Sequence, residues 1–372
     1  MRRRHALGLI AGSAAALRLS PARAAAPAAA GWPQFRGDPR LTGRAPGPLP
    51  ALKPAWTHEA GAAVESSAAI GDGLAVVGCG SGHLLGLDLA TGARRWAYAT
   101  GSEIGESSPC LFEGRAYVGD LKGVVHAVNT RDGSAAWTFK TKASVKASPV
   151  VSAGRVVVGS YDQFVYALDA RTGAVAWSFE TDGQVHATAS IDAGVAYVAG
   201  CDGLLRGLRV ADGKQVFDVG SGGYTGASAA LQDGRAFYGT FENEVLGVDL
   251  ATRKVLWRYR HPERTFPFYS SAALAPGRIV LGGRDKLVHA LDAATGKEAW
   301  SFATRGRVDS SPLVAGARVC VGSHDGRLYV LDLATGARQE EFDTGSAVTA
   351  SPALGAGRLV VGTTDGAVLC FG

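Results

Sequence analysis

A tryptophan recurs in this chain at an almost constant interval, and that interval limits the fold more than any other feature. Trp56, Trp96, Trp137, Trp177, Trp257 and Trp300 fall at steps of 40 to 43 residues once Phe217 is placed between Trp177 and Trp257, and Glu341-Phe342 continues the series. The context repeats as well. "ALDARTGAVAWSFET" (Ala167 to Thr181) has near-copies ending at Thr100, Thr141 and Thr304. Self-similarity at a period near 40 marks one array of supersecondary units, so the 372 residues read as a single repeat domain and not as two or three ordinary ones.

Within one unit, Lys146 to Thr181, the pattern is all strand. "SPVV" is a short apolar run and "AG" turns it. "RVVVGS" is β-branched, "YDQ" turns again, and "FVYALDA" and "AVAWSFE" alternate on either side of "RTG". Four short strands at hairpin spacing, punctuated by Gly and Asp, make a four-stranded antiparallel sheet. Stacked by repetition, such sheets form the blades of a β-propeller. Strand A, innermost, is announced by the triplets "ESS" at Glu65, "ESS" at Glu106, "KAS" at Lys146, "HAT" at His186, "GAS" at Gly226, "YSS" at Tyr269, "DSS" at Asp309 and "TAS" at Thr349, which gives eight blades. The last unit lacks strand D, whereas "KPAWTHEA" around Trp56 has the strand D pattern with no A, B or C before it. The two ends are therefore expected to complete one blade and close the ring, leaving only short protected edges. The predicted class is all-β, an eight-bladed propeller over residues 51–372, preceded by an extension over 25–50.

Residues 1–24 read as a cleaved export signal. "MRRRHALGLIAGSAAALRLSPARA" has a basic start, a weakly apolar stretch and small residues near Ala22-Arg23-Ala24, and Arg3-Arg4 fits the twin-arginine type. The apolar stretch is interrupted by Arg18 and too short for a membrane span. The formal charge of +5 is carried by Arg2, Arg3, Arg4, Arg18 and Arg23, so the mature chain has 33 basic and 33 acidic residues. The expectation is an exported, periplasmic or otherwise extracytoplasmic monomer with no membrane anchor and no affinity for nucleic acid. Cys79, Cys110, Cys201, Cys320 and Cys370 form no C-x-x-C pair and read as small buried hydrophobes, with one disulfide open to them in an oxidising compartment.

The pattern L-D-x-x-T-G-x-x-x-W at Leu168–Trp177, Leu87–Trp96 and Leu291–Trp300 resembles the repeat of the quinoprotein-type, or PQQ-like, propellers. "WPQFRGD" (Trp32 to Asp38) is similar to the opening of many exported members. The resemblance spans about residues 31–372 and implies the propeller fold. It implies two different functions: PQQ-dependent alcohol dehydrogenases, and non-enzymatic propellers of the BamB type. The dehydrogenase features that the resemblance implies are a Trp platform under the quinone, carboxylate and Asn ligands for Ca²⁺, a catalytic Asp and adjacent cysteines. Here six of seven Trp belong to the repeat and Trp32 precedes it; the two Asn, Asn129 and Asn243, lie at turns, and no two Cys are adjacent. The absence of a lipoprotein Cys from the signal departs from the BamB type.

A functional site is expected where the repeats differ. In a propeller the D–A connections and B–C turns share one face, and the residue before each strand A rings the axial mouth. These are Glu65, Glu106, Lys146, His186, Gly226, Tyr269, Asp309 and Thr349, with Asp309 across the ring from Lys146. The B–C turns add Gly80, Leu121, Tyr161, Cys201, Phe241, Arg284, His324 and Thr364. Tyr161, Phe241, Arg284 and His324 are residue types common at binding hot spots. The longest connection, "RHPERTFPFY", is expected to expose Phe266, Pro267 and Phe268 on the same face. The aspartates of the B–C turns read as turn formers. No catalytic residue, no cofactor and no metal is assigned; PQQ with Ca²⁺ is the disfavoured alternative. The reading is a non-catalytic platform for a protein partner, with envelope or outer-membrane protein assembly as its setting. A PQQ-dependent or other oxidoreductase and a small-molecule or glycan binder are the alternatives.

Overall fold

The computed structural model describes residues 31–372; the segment read as an export signal lies outside the described residues. Eight sheets form eight blades: blade 1 over 69–99, blade 2 over 110–140, blade 3 over 150–180, blade 4 over 190–220, blade 5 over 230–259, blade 6 over 273–303 and blade 7 over 313–343. Blade 8 takes strands A to C from 353–371 and its fourth strand, Pro54–Glu59, from the other end of the chain. Thr57 sits opposite Leu369 and Glu59 opposite Ala367 in that antiparallel closure. The described residues contain no helix, as expected from a chain without helical periodicity.

Blade 3 shows how the repeat builds a sheet. Val150–Ser152, Arg155–Gly159, Phe164–Asp169 and Val175–Glu180 pair in order, with Val157 opposite Val150 on one side and Ala167 on the other. Strand D carries a bulge just before its tryptophan: Trp177 faces Ala167 while Val175 faces Leu168. The extra residue breaks the in–out alternation, which leaves Val175 49% exposed on the rim.

The outer seams explain the tryptophan period. Trp137 Nε1 donates to Ala170 O of the next blade at 3.0 Å, and Trp177 Nε1 donates to Val210 O at 2.8 Å. Trp56, Trp96, Trp257 and Trp300 make the same bond to Leu89, Thr130, Ala293 and Leu333. Each indole lies flat on the glycine that closes the next blade's C–D turn. Gly173 has φ +74°, and a Cβ there would stand 2.7 Å from the Trp137 ring. Where the indole is lost, the glycine is lost with it. Phe217 faces Arg253, which holds the left-handed φ of 57° and lays its guanidinium 6.0 Å from the phenyl centroid. In blade 7 the register puts Glu340, not the expected Glu341-Phe342, in the indole position: it lies opposite Val330 as Trp300 lies opposite Ala290, and its carboxylate accepts Leu52 N at 3.0 Å and pairs with Arg318. Phe342, two residues on, packs edge-on against Phe371 at 5.0 Å. Burial of these aromatic faces, with an N–H satisfied by a neighbour's carbonyl, joins blade to blade.

The segment 32–45 is part of the propeller. Each strand A is innermost and leaves one edge unpaired by its own blade; on blade 7 Arg44–Ala45 pairs with that edge in parallel. Five residues beyond the mouth position, the amides of Ile70, Leu111, Ile191, Leu231, Leu274 and Val314 donate to Trp32, Pro33, Pro39, Arg40, Thr42 and Gly43 carbonyls at 2.6 to 2.9 Å. The strap thus satisfies donors on six blades that would otherwise be buried without acceptors. Arg36 reaches the axis beneath it, 1% exposed, and its guanidinium donates to Ser311 O, Ala272 O and Pro312 O. Burial, partly countered by Asp38, lowers its pKa to about 9. Gly43 allows this close approach, since a Cβ there would fall 1.8 Å from Arg36 Nη2.

Two glycines with the same backbone separate seam packing from turn conformation. Gly154 has φ +70° and open space around it, whereas Gly173 has φ +74° and an indole against it. Gly154→Ala is predicted to cost about 1 kcal/mol, the strain of a left-handed alanine. Gly173→Ala is predicted to cost about 2 kcal/mol more through overpacking. Urea unfolding midpoints measure both, and equal losses would contradict the seam.

Candidate binding face at the axial mouth

The D–A connections and B–C turns meet on one face, tied by backbone hydrogen bonds from each turn to the connection entering the same blade. Tyr161 N donates to Ser144 O, Arg284 N to Pro267 O and His324 N to Arg307 O, at 2.9, 3.1 and 3.0 Å. The eight residues before strand A, Glu65, Glu106, Lys146, His186, Gly226, Tyr269, Asp309 and Thr349, line one axial cavity of about 70 Å³, floored by Phe35 of the strap. The propeller is therefore a cup with the strap as its base.

Two residues further along, the chain has a hydroxyl in every blade: Ser67, Ser108, Ser148, Thr188, Ser228, Ser271, Ser311 and Ser351. Each of their amides donates to the hydroxyl oxygen of the next blade at 2.9 to 3.0 Å, and Ser351 closes the circle onto Ser67. This ring wraps the axis and fixes the spacing of the residues above it. Its members are the third residue of each strand A triplet, a regularity that sequence reasoning passed over.

Above the ring, side chains from opposite blades meet. Tyr269 of blade 6 extends across the mouth, and its hydroxyl donates to Glu106 Oε2 of blade 2 at 2.8 Å. His186 Nε2 lies 2.8 Å from that carboxylate oxygen and 2.8 Å from the Tyr269 hydroxyl, while Tyr161 O–H lies 2.6 Å from Nδ1. One assignment satisfies all of these contacts: the proton is on Nε2, and Nδ1 accepts from Tyr161. Lys146 Nζ lies 3.7 Å from Glu106 Oε1 and 5.5 Å from the Tyr161 centroid. On the far side, Phe241 stacks on Tyr269 at 5.8 Å, and the Arg284 guanidinium lies 4.5 Å from the same ring. Arg284 holds Asp309 with two bonds, 2.8 and 3.1 Å, and His324 Nε2 and Arg307 Nε each reach Asp309 Oδ2 at 3.1 Å. Gly226 leaves the room this needs, since a Cβ there would meet Phe241 and Tyr269 at 3.0 Å.

The electrostatics follow from these contacts. Burial alone would raise the Glu106 pKa, but the hydrogen bonds from His186 and Tyr269 and the charge of Lys146 bring it down to about 2. Burial and the same carboxylate push Tyr161 up to about 12 and raise Tyr269 further. Burial opposes ionisation of Asp309 too, and His324 with Arg284 overrides it to lower the pKa. Glu65 stands outside the network, raised by partial burial and by Glu106. Lys146 and Asp309, expected across the ring from each other, each pair with nearer partners.

Phe268 corrects the sequence expectation. Phe266 is 50% exposed on the long connection, but Phe268 is 2% exposed and packs its ring against His289 at 5.3 Å. It occupies the position before the mouth residue, which Val64, Val145, Val185, Val308 and Val348 bury elsewhere. The connection's extra residues lie ahead of it, so the exposed apolar loop ends before Phe268. Tyr224, 58% exposed on the neighbouring connection, holds the place of Gln184 two residues before the mouth position, where the sequence was read only at Gly226 itself. Asp162, Asp202, Asp285 and Asp325 each accept the amide two residues on, as turn formers do. All five cysteines are free thiols, and four of them are buried.

A family model described as outer membrane protein assembly factor BamB matches residues 102–235 and 241–371, more than half of the chain. The chain belongs to this family. BamB from Moraxella catarrhalis superposes with a TM-score of 0.75 at 19% identity, covering 86% of this chain and 99% of that one. A quinohemoprotein alcohol dehydrogenase from Comamonas testosteroni gives 0.79 at 16%, covering 92% and 80%. A computationally designed protein, Ika8, gives 0.74 at 18%, covering 84% and 97%. At these identities the structural likenesses establish the BamB-family fold and nothing finer. No curated protein matches the chain.

The mouth network has a pH signature. The Glu106 pKa is lowered from its ordinary 4.5 to about 2, so its contribution to stability is present above pH 4.5 and is lost as pH falls toward 2. Urea midpoints measured between pH 6 and 2 are predicted to fall in that window. Glu106→Gln is predicted to make the fall shallower; an unchanged slope would contradict the network.

Proposed function

We propose that this BamB-family propeller is an exported, non-catalytic platform that binds a protein partner through its mouth face, in the assembly of envelope or outer-membrane proteins. The observation that carries the reading is that the mouth is filled by its own side chains. Tyr269, Glu106 and His186 bridge the axis, and Arg284 and Asp309 close the side opposite Lys146. What remains is a cavity of about 70 Å³, against several hundred for an ordinary ligand pocket. A face of this kind offers aromatic rings and arginines outward, the residue types that dominate protein interfaces.

The residues present do not fit a pyrroloquinoline quinone with calcium. A planar tricyclic ring would need the space that Tyr269 and Phe241 occupy. The carboxylates of Glu106 and Asp309 are already committed to His186, Lys146, Arg284 and His324. Among the described residues no group of three or more His, Cys, Asp or Glu is arranged to hold a metal ion. A hard cation needs six to eight oxygens that converge.

Two readouts test the platform. Mature protein mixed with the quinone and Ca²⁺ is expected to show no rise in melting temperature and no bound quinone absorbance. A photo-crosslinker at position 266 is expected to give discrete protein adducts in the cell envelope. Saturable one-to-one quinone binding, or a mouth that yields no protein adduct, would overturn the reading.

A further inference from the structure

The hydroxyl ring has hydrogen-bonding capacity that the fold leaves unspent, and the unspent part faces the axial cavity. A serine or threonine hydroxyl has one hydrogen to donate and two lone pairs with which to accept. Each ring oxygen uses one lone pair on the amide of the preceding blade. Ser108 also finds an acceptor for its hydrogen, the Glu106 carbonyl at 3.4 Å. The other seven find none among the described residues, and those same seven line the cavity, whereas Ser108 does not. None of the seven is more than 6% exposed. Thr349, at the rim above them, adds a buried hydroxyl oxygen with no partner of any kind. Buried polar groups are paired almost without exception, so donors converging on one small cavity suit a guest that carries several oxygens.

Charge at the wall cancels. Glu65, Glu106 and Asp309 line the cavity and Lys146, Arg284 and Arg307 answer them: Lys146 lies beside Glu106, and both arginines hold Asp309. Each ring hydroxyl keeps a second lone pair, and the Glu65 carboxylate stands outside the network as a further acceptor. A wall that donates and accepts without net charge matches a guest built the same way, and Phe35 offers its carbon skeleton an apolar floor. At roughly 10 to 15 Å³ for each water-sized group, the cavity of about 70 Å³ takes about six non-hydrogen atoms. The way in lies over blades 8 and 1. Tyr269, Glu106 and His186, with the Arg284–Asp309 pair, cover the cavity from blades 2, 4, 6 and 7. The connections into blades 8 and 1 read Gly345-Ser346-Ala347 and Gly61-Ala62-Ala63, and the turn residues beside them are Thr364 and Gly80. Glu65 is exposed at that small-residue edge.

We propose that the axial cup binds a small uncharged polyol, a triol such as glycerol, whose oxygens accept from the ring and from Thr349 and one of whose hydroxyls donates to Glu65. An anion would have to approach Glu65 and Glu106, and a cation would meet the ring hydrogens and Lys146. This site goes beyond the platform reading and does not draw on it, because the ligand lies beneath the face that a partner would cover.

Equilibrium dialysis of the full mature chain against radiolabelled glycerol, in buffer free of other polyols, tests the site. Saturable binding of one glycerol per chain is expected. Unlabelled glycerol should displace it at least tenfold more effectively than lactate or alanine, which match it in non-hydrogen atoms but carry charge. Thr349→Val keeps the shape of the side chain and removes its hydroxyl, and is expected to weaken binding at least fivefold without lowering the melting temperature. Ser228→Thr with Ser311→Thr keeps both ring oxygens, as Thr188 does, and is expected to abolish binding by crowding the wall. Uptake that never saturates, as a cavity holding only water would give, would overturn the proposal. So would equal or better displacement by lactate or alanine, or binding unchanged in both variants. Crosslinks from position 266 to protein are independent of every one of these outcomes, so the platform reading stands or falls separately.

Discussion

Everything at the mouth depends on the ring being closed with eight blades. The closure is made by Pro54–Glu59 lying against Ala367–Phe371, the last strand of the chain. Without it, the seams would join neighbours but nothing would fix blade 2 opposite blade 6. With it, Tyr269 and Glu106, 163 residues apart, come to hydrogen-bond distance across the axis. The strap reinforces the same constraint from below, giving acceptors to strand A amides on six blades. The hydroxyl circle from Ser67 to Ser351 does so from within.

The repeat and its exceptions divide the work. Residues that recur, the indole, the turn glycine, the third-position hydroxyl and the valine before the mouth, meet backbone requirements that are the same in every blade. Residues that differ sit where the backbone makes no demand, at the rim of the cup. There Glu106, Lys146, His186, Tyr269 and Asp309 satisfy one another, and Tyr224, Phe266, Lys286 and Arg305 are left facing solvent. A closed interior and an open rim suit recognition of a surface better than enclosure of a quinone-sized molecule.

Much of this was legible in the sequence because it was periodic. The eight blades, the shared strand and the positions of Glu65 through Thr349 around the mouth all follow from counting residues from one indole to the next. What escaped has no period. The strap occurs once, so "WPQFRGD" could be matched to similar openings but not placed beneath the axis. Phe268 was misjudged because the connection's length says nothing until it is aligned to the valines that fill the same position in other blades. The pairing of Lys146 with Glu106 and of Asp309 with Arg284 depends on side-chain reach, which blade order does not determine.

The most direct test of the closed ring is a double-mutant cycle between Tyr269→Phe and Glu106→Ala, read by urea unfolding near neutral pH. Residues in contact across the axis should couple by about 1 to 2 kcal/mol. Effects that add to within about 0.5 kcal/mol would mean that blades 2 and 6 do not meet, and would contradict the mouth built here.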